Sequence, residues 1–538
     1  MENTHGARRT HLWAGGLIGL VGAAVALGVG QLVAGVINPK ASPVVAVGDA
    51  AVDGSPAAVK DWAIRTFGAN DKLVLIIGIV VVLALIAIGL GVLARRRPSW
   101  ATAGVLGIGL VGAVAAMGRP DAGPLDVLPS VLGAAVGAWA LRVLARRAWP
   151  YGPATAYEED AGRSEGDHEE TVTEYPQAHP VGELDRRGLF TGVVAGVVVA
   201  GVGELAGRGL AGRLNVDKAR AGVALPKATR PLAPLPKGVD LRIKDLSPFS
   251  TPNKDFYRVD TALVIPQVDP RTWTLKIHGM VDHPVELTFA DLLKRPLMES
   301  DVTLACVSND VGGPYVGNAR WLGARLADVL RDAGIRSGAD MLLSTSSDGW
   351  TCGTPVDVVM DGRDALLAIA MNGETLPLSH GFPVRQVVPG LYGYVSATKW
   401  VTDIKVTRFD QDEAYWTPRG WSPQGPIKTQ SRIDVPRGSS TITAGPTTIA
   451  GVAWAQHRGV DAVEVSIDKG PWRQARLAEA PSPDTWRQWV LDGWNATPGN
   501  HTIAVRATDA TGYTQTDKYA PPAPDGATGW HSILIVVK

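Results

Sequence analysis

The chain holds only two cysteines, Cys306 and Cys352, and they bound the chemistry open to it. Two thiols exclude a disulfide scaffold and any iron–sulfur cluster held by four thiolates. No Cys-x-x-Cys-His run is present, which excludes covalently attached c-type haem. Cys306 ends an apolar stretch, Val302-Thr303-Leu304-Ala305-Cys306-Val307-Ser308-Asn309. A lone cysteine in such a strand is ordinarily an inert core residue, so any reactive role must come from its surroundings. Cys352 lies in Gly349-Trp350-Thr351-Cys352-Gly353. A disulfide between the two stays open, especially for an exported domain.

The surroundings of Cys306 are informative. Asn318-Ala319-Arg320-Trp321-Leu322-Gly323-Ala324-Arg325-Leu326 follows it. A second block runs Met371-Asn372-Gly373-Glu374, then Leu378-Ser379-His380-Gly381-Phe382-Pro383-Val384-Arg385, then Val388-Pro389-Gly390 and Gly393, and closes on Ser396-Ala397-Thr398-Lys399-Trp400. In this order the blocks resemble the sulfite-oxidase family of molybdopterin-dependent oxidoreductases, over nearly all of residues 250–538. The resemblance implies that Cys306 is the protein ligand to molybdenum, and a soft thiolate donor suits such a metal. It implies that His380, Arg385 and Lys399 hold the pterin phosphate, a role to which charge-assisted bonds are suited. Ser396 and Ala397 are expected to add backbone N–H groups. Thr251-Pro252-Asn253-Lys254-Asp255-Phe256-Tyr257-Arg258 resembles the family's first cofactor-contacting stretch, which adds Asn253, Tyr257 and Arg258. Trp350 is either a roof over the substrate pocket or a core residue, and Cys352 reads as a buried free thiol.

Departures from sulfite oxidases point away from sulfite. Those enzymes carry Arg-Asn-His where this chain has Val259-Asp260-Thr261, and arginines after the metal cysteine where it has Asn309-Asp310-Val311-Gly312. Losing these cations removes much of the positive pocket a small dianion needs, although Arg258 or Arg320 could compensate. The implied reaction is a two-electron exchange, usually oxygen-atom transfer, at a molybdenum–molybdopterin cofactor. The chain shows no haem or cluster motif, so a separate electron carrier is expected: a cytochrome, a small redox protein or a quinone-linked partner. The competing class is a non-catalytic surface receptor that binds through its C-terminal domain. Formal net charge is zero and no long basic run exists, so nucleic acid is not an expected partner.

The elements that must position these residues begin with a membrane region. Apolar segments run over 12–37, 73–93, 101–117 and 127–144, and each meets or approaches the 20 or so residues a bilayer core requires. A fifth, 189–203, is shorter and nearer a signal-peptide core in length. The pairs and triplets Arg8/Arg9, Arg95–Arg97, Arg142/Arg146/Arg147 and Arg186/Arg187 fall on one side if each segment spans once. That side is cytoplasmic by the positive-inside rule, which puts everything after residue 210 outside. Asp185-Arg186-Arg187-Gly188-Leu189-Phe190 resembles a twin-arginine export signal; the plainer alternative is an ordinary topology signal. Ala219-Arg220-Ala221 has the form of a cleavage site but lies far from the apolar core, which favours an uncleaved anchor. No ionisable residue sits mid-segment in the first four, so they read as anchor or docking surface rather than transporter or haem subunit.

The expected architecture is multi-domain: N-terminal transmembrane α-helices, an α+β molybdopterin domain of the sulfite-oxidase type and a C-terminal immunoglobulin-like β-sandwich. The boundaries are a four-helix anchor (1–150), an acidic cytoplasmic loop (151–185), a fifth segment (186–210), a tethering linker (211–249), the catalytic domain (250–412), a second linker (413–430) and the sandwich (431–538). Period-two alternation predicts strands over 273–277, 400–406, 463–467, 502–505 and 532–537. Short amphipathic helices are predicted over 288–294 and 322–333. The resemblance makes the sandwich a dimerisation domain, so a homodimer is implied.

Overall fold

The computed structural model describes residues 4–67, 70–149 and 184–538. The chain divides into two compact units, Met1–Ser55 with Thr66–Asn215, and Pro56–Arg65 with Val216–Lys538.

The first unit is helical. It contains α1 (Thr4–Ile37), α2 (Pro43–Gly54), part of α3 (Ala57–Phe67), α4 (Asp71–Ala94), α5 (Pro98–Met117), α6 (Leu128–Ala148) and α7 (Arg186–Ala211). Among the described residues, five helices are long and apolar enough to cross a membrane: Leu12–Ile37 of α1, and α4, α5, α6 and α7. The helix α1 packs against α4, α6 and α7. Small residues let the helix backbones approach closely. A Cβ on Gly28 would lie 2.5 Å from the Ala200 carbonyl oxygen, and one on Gly203 would lie 2.6 Å from that of Gly28. The fifth segment differs from its expected short form. Its helix continues through Glu204 and Arg208 to 26 residues, about 39 Å at 1.5 Å per residue. Asp185 caps it, its carboxylate accepting from the Gly188 N–H at 2.9 Å. The acidic loop expected over 151–185 lies almost wholly outside the described residues.

The second unit takes in Pro56–Arg65, most of α3, and resumes at Val216 with a short helix, α8 (Asp217–Ala221). The stretch expected as a tether, 211–249, is irregular but docked from Val216 onward. Val216, Val239, Leu246 and Phe249 are buried, and Arg220 donates to the carbonyls of Leu376 (2.6 Å) and Thr375 (2.8 Å). The catalytic region carries two sheets. One is ordered β2-β1-β10-β5-β6, from β1 (Thr274–Gly279), β2 (Val285–Thr288), β5 (Met341–Ser346), β6 (Thr351–Pro355) and β10 (Val401–Thr407). The other is ordered β3-β4-β7-β8, from β3 (Leu297–Ala305), β4 (Val316–Arg325), β7 (Leu366–Met371) and β8 (Glu374–Thr375), with β9 (Arg385–Val387) pairing β7. Helices α9 (Phe289–Lys294), α10 (Leu326–Ala333) and α11 (Val356–Met360) complete it. A Thr288/Asp291 capping box starts α9. The helix predicted from 322 starts only at Leu326. Residues 322–324 instead pair with both β3 and β7, and Arg325 with β7, because ladder pairing on two sides overrides a short helical pattern.

Beyond this region two sheets face each other. One is ordered β11-β13-β17-β16, from β11 (Gln430–Val435), β13 (Gly445–Trp454), β16 (Arg476–Leu477) and β17 (Arg487–Ala496). The other is ordered β12-β19-β18-β14-β15, from β12 (Thr441–Ile442), β14 (Val460–Ile467), β15 (Arg473–Gln474), β18 (Gly499–Asp509) and β19 (His531–Val537). Ile433, Ile449, Val463, Val505 and Ile535 share their common core, so the alternation read from the sequence is that of a two-sheet sandwich. The expected second linker, 413–430, is also packed, with Trp421 and Ile427 buried.

The outer edge of β3 is covered. Thr229 donates to the Leu297 carbonyl at 2.8 Å and Glu299 donates to that of Arg230 at 3.1 Å. Further along, Thr303 N–H donates to the Asp484 carbonyl at 3.0 Å and the Gln456 amide donates to the Thr303 carbonyl at 2.9 Å. The Thr303 hydroxyl accepts from Trp486 N–H at 2.7 Å and donates to Asn318 at 2.9 Å. Replacing Thr303 with Val strands a buried donor at this junction. We expect a loss of about 1–3 kcal/mol, read as a lower urea midpoint at unchanged slope.

Candidate cofactor site

Cys306 follows β3 directly, at the turn into β4. Its N–H donates to the Tyr315 carbonyl at 2.9 Å, and its carbonyl accepts from Asn309 N–H at 3.1 Å. Both cysteines are free thiols, which closes the disulfide alternative. Burial pushes the Cys306 thiol up, opposed by hydrogen bonds from the Ser308 backbone and hydroxyl and by the charge of Lys399. Tyr257 is close enough to sense the cysteine's charge, and burial pushes its phenol far up. The ring of Tyr315 stands 6.3 Å from that of Tyr257. The thiol is therefore partly buried and bordered by aromatic residues.

Arg385, Lys399 and Arg258 all lie within electrostatic reach of His380. Arg385 is buried and lies 5.0 Å from the Trp321 ring. Among the described residues its guanidinium donates only to carbonyls, of His380 at 3.2 Å and of Gln386 and Ala397 at 3.4 Å. Burial lowers it to about 10. His380 is pushed down to about 4, first by burial and then by Arg385, Lys399 and Arg258. Lys399 is lowered to about 8 by burial, against the pull of Asp260. Its ammonium donates to Asp260 at 2.5 Å and to the Ser379 carbonyl at 3.3 Å. Arg258 grips the same carboxylate at 2.8 and 3.2 Å.

The other expected site residues sort differently. Asn253 uses its side chain structurally, donating to the Met371 carbonyl at 3.2 Å and accepting from Asn372 at 2.9 Å; its backbone hydrogen-bonds His380. Ser396 and Ala397 do not offer free N–H groups. Both point at the Gly393 carbonyl, at 3.4 and 3.0 Å, because the chain makes a tight turn there. The Ser396 hydroxyl is spent on the carbonyls of Leu391 and Tyr392. Trp350 packs against the main core, which favours the core alternative. Cys352 is buried beside Thr354, its thiol raised to about 11 by burial.

Three contributors were missed in the sequence. Ser308 was quoted only as part of the strand, Tyr315 not at all, and Asp260 only as a departure. Asp260 sits two residues from Arg258, a spacing that hints at a pair, but its contact with Lys399 spans 139 residues and leaves no local signal.

The arrangement fits an anionic cofactor. A buried guanidinium with no carboxylate partner among the described residues is costly, and Arg385, Lys399, Arg258 and His380 close on one region beside the strand-end thiol of Cys306. Residues 262–416 match the family described as oxidoreductase molybdopterin binding domain. The chain is 30% identical to sulfite oxidase of Gallus gallus over 421 residues, covering 65% of this chain and 90% of that one. It belongs to the sulfite-oxidase family. It is 36% identical to an uncharacterized oxidoreductase of Bacillus subtilis over 157 residues, covering 29% of this chain and 76% of the other. Against mitochondrial sulfite oxidase of Mus musculus it is 33% identical over 321 residues, which is 51% of this chain and spans 58% of the relative's length. The chain is therefore a molybdopterin-dependent oxidoreductase with a molybdenum–molybdopterin cofactor, and the non-catalytic receptor alternative falls.

Removing Arg385 tests the cradle. Losing one charged partner of a buried anion costs roughly 2–5 kcal/mol, tens- to thousands-fold in retention at about 1.4 kcal/mol per tenfold. We expect Arg385→Gln to purify folded but depleted of pterin and molybdenum. Full metal content in that variant would remove Arg385 from the site.

Proposed function

We propose that this is a membrane-anchored molybdenum oxidoreductase, with its catalytic unit outside the cytoplasmic membrane, acting on a small substrate of low charge rather than sulfite. The carrying observation is the commitment of the two arginines that could have rebuilt a sulfite pocket. Arg258 is held by Asp260, and Arg320 is clamped by Asp301 through two bonds, 2.9 and 2.8 Å. The loop after Cys306 is folded on itself and on the sandwich. Asn309 accepts from Tyr315 N–H at 2.7 Å, Asp310 accepts from the Tyr519 hydroxyl at 3.3 Å, and Arg432 donates to the Gly313 carbonyl at 2.9 Å.

When bound, the cofactor supplies the two-electron redox chemistry, usually with oxygen-atom transfer. The chain's residues bind and shape. Cys306 presents its thiolate as the metal ligand, with Ser308 donating to the sulfur. Arg385, Lys399 and His380 hold the phosphate, while Asn253 fixes the imidazole. Tyr257 and Tyr315 border the pocket and restrict water. With the phenol of Tyr257 held protonated, it can donate a hydrogen bond to a substrate oxygen. A neutral oxide would suit these groups better than a dianion, whose desolvation needs fixed cations.

Electrons leave or arrive by a separate carrier, either a cytochrome, a small redox protein or a quinone-linked partner. The reading is supported by the cysteine count, since one thiol lies in the site and the other is buried. The sandwich is read as immunoglobulin-like, and a homodimer through it is part of the proposal. The multi-pass topology rests on the five apolar helices and on the arginine placement. The run at Asp185-Arg186-Arg187 doubles as a twin-arginine signal, with the helix left uncleaved.

Steady-state kinetics test the substrate. With sulfite and an artificial acceptor we expect a kcat/KM below about 10⁴ M⁻¹s⁻¹, and faster turnover of a neutral sulfoxide with an artificial donor. A sulfite value at or above that level would overturn the reading. For topology, a reporter fused after Lys538 should be active outside and one inserted at residues 151–185 active inside; the reverse pattern contradicts the orientation.

A further inference from the structure

Asp260 is the one feature of the cradle that runs against the purpose of the rest. A carboxylate beside a phosphate site repels the ligand, yet here it is almost fully buried, with a side chain 5% exposed, and bound to two of the cations. Its partner Lys399 is 11% exposed, while Arg258 reaches further into solvent at 34%.

We propose that Asp260 is a positioning residue that acts as the internal counter-ion of the cofactor cradle, matching its net charge to one phosphate dianion and holding Arg258 and Lys399 in place before the cofactor arrives. This rests on the cofactor reading above. Arg258, Lys399 and Arg385 carry three positive charges, and Asp260 removes one. Two remain, against the charge of nearly −2 on a phosphate monoester at neutral pH. His380 does not enter the tally near pH 7, because burial and its cationic neighbours keep it neutral.

The geometry explains how one residue does both. Asp260 lies two residues beyond Arg258, close enough to take its guanidinium with both oxygens. The oxygen that takes Arg258 Nε also takes the Lys399 ammonium, tying the first cofactor-contacting stretch to the closing one. Without a carboxylate, three buried or half-buried cations would face one another in the empty chain, and each close pair repels. Arg385 is the cation left without a carboxylate, so it presents the strongest pull on an entering anion.

The charge tally makes a graded set of variants. Asp260→Asn leaves three cations unbalanced, and Asp260→Asn with Lys399→Met returns the cradle to two. The full chain, detergent-solubilised and purified cofactor-free from a host that makes no pterin, is titrated with inorganic phosphate while its melting temperature is followed. Chloride at equal ionic strength is the control. The expected result is that Asp260→Asn melts lower than the parent without phosphate. It should regain the difference in phosphate and bind it at least about tenfold more tightly, the usual effect of one nearby charge in a buried site. The double variant should return toward the parent, and Asp260→Glu should match it. Equal phosphate affinity in the parent and Asp260→Asn would overturn the counter-ion role while leaving the phosphate cradle standing. No phosphate response in any of the proteins would overturn the cradle itself. If Asp260→Asn fails to fold alone, the double variant decides: rescue of folding supports the charge tally, and continued failure refutes it.

Discussion

The site depends on how the outer edge of β3 is occupied. An exposed strand edge leaves unpaired N–H and C=O groups that drift or pair wrongly. Here the arm around Thr229 and Arg230 takes one end, and Gln456, Asp484 and Trp486 take the other. Cys306 lies three residues past Thr303, so the sulfur's position is fixed by the sandwich as much as by the catalytic sheets. Asn318, opposite Thr303 on β4, carries the same junction inward by donating to the Phe249 carbonyl at 3.0 Å. Trp486 reaches that carbonyl too, at 2.8 Å. The C-terminal region is thus part of the frame of the strand that ends at Cys306.

The loop after Cys306 shows the same dependence. Gly312 has φ +75°, and a Cβ there would lie 2.2 Å from the His531 ring. Only glycine allows that approach. His531 is itself held by the N–H of Ile433 at 2.9 Å. The loop that carries arginines in sulfite oxidases is here a surface fitted to the sandwich. Charge follows suit, since Arg258, Arg320 and Lys399 are each matched to a carboxylate, whereas Arg385 has none among the described residues. On the proposed reading, this charge balance suits one bound phosphate and leaves little field for an anionic substrate.

Much of this was legible in the residues. Ordered motifs around Cys306, His380, Arg385 and Lys399 pointed to the family, and apolar length located the long helices, because both signals are local. The start of α10 was misplaced, since a short apolar run cannot separate a strand from a helix. The docked arm was read as a tether because a Pro-rich stretch without periodicity carries no packing signal. The N–H groups of Ser396 and Ala397 were assigned to the cofactor, but a local turn claims them. The Asp260–Lys399 pair was invisible because it joins stretches far apart in sequence.

The central claim is that the β3 terminus delivers the one protein ligand to molybdenum. X-ray absorption at the molybdenum edge of the purified full chain, compared with its Cys306→Ala variant, tests it most directly. The account predicts one sulfur neighbour fewer per molybdenum, or loss of the metal, in a variant whose unfolding transition is little changed. An identical sulfur shell at full metal content in the variant would contradict it.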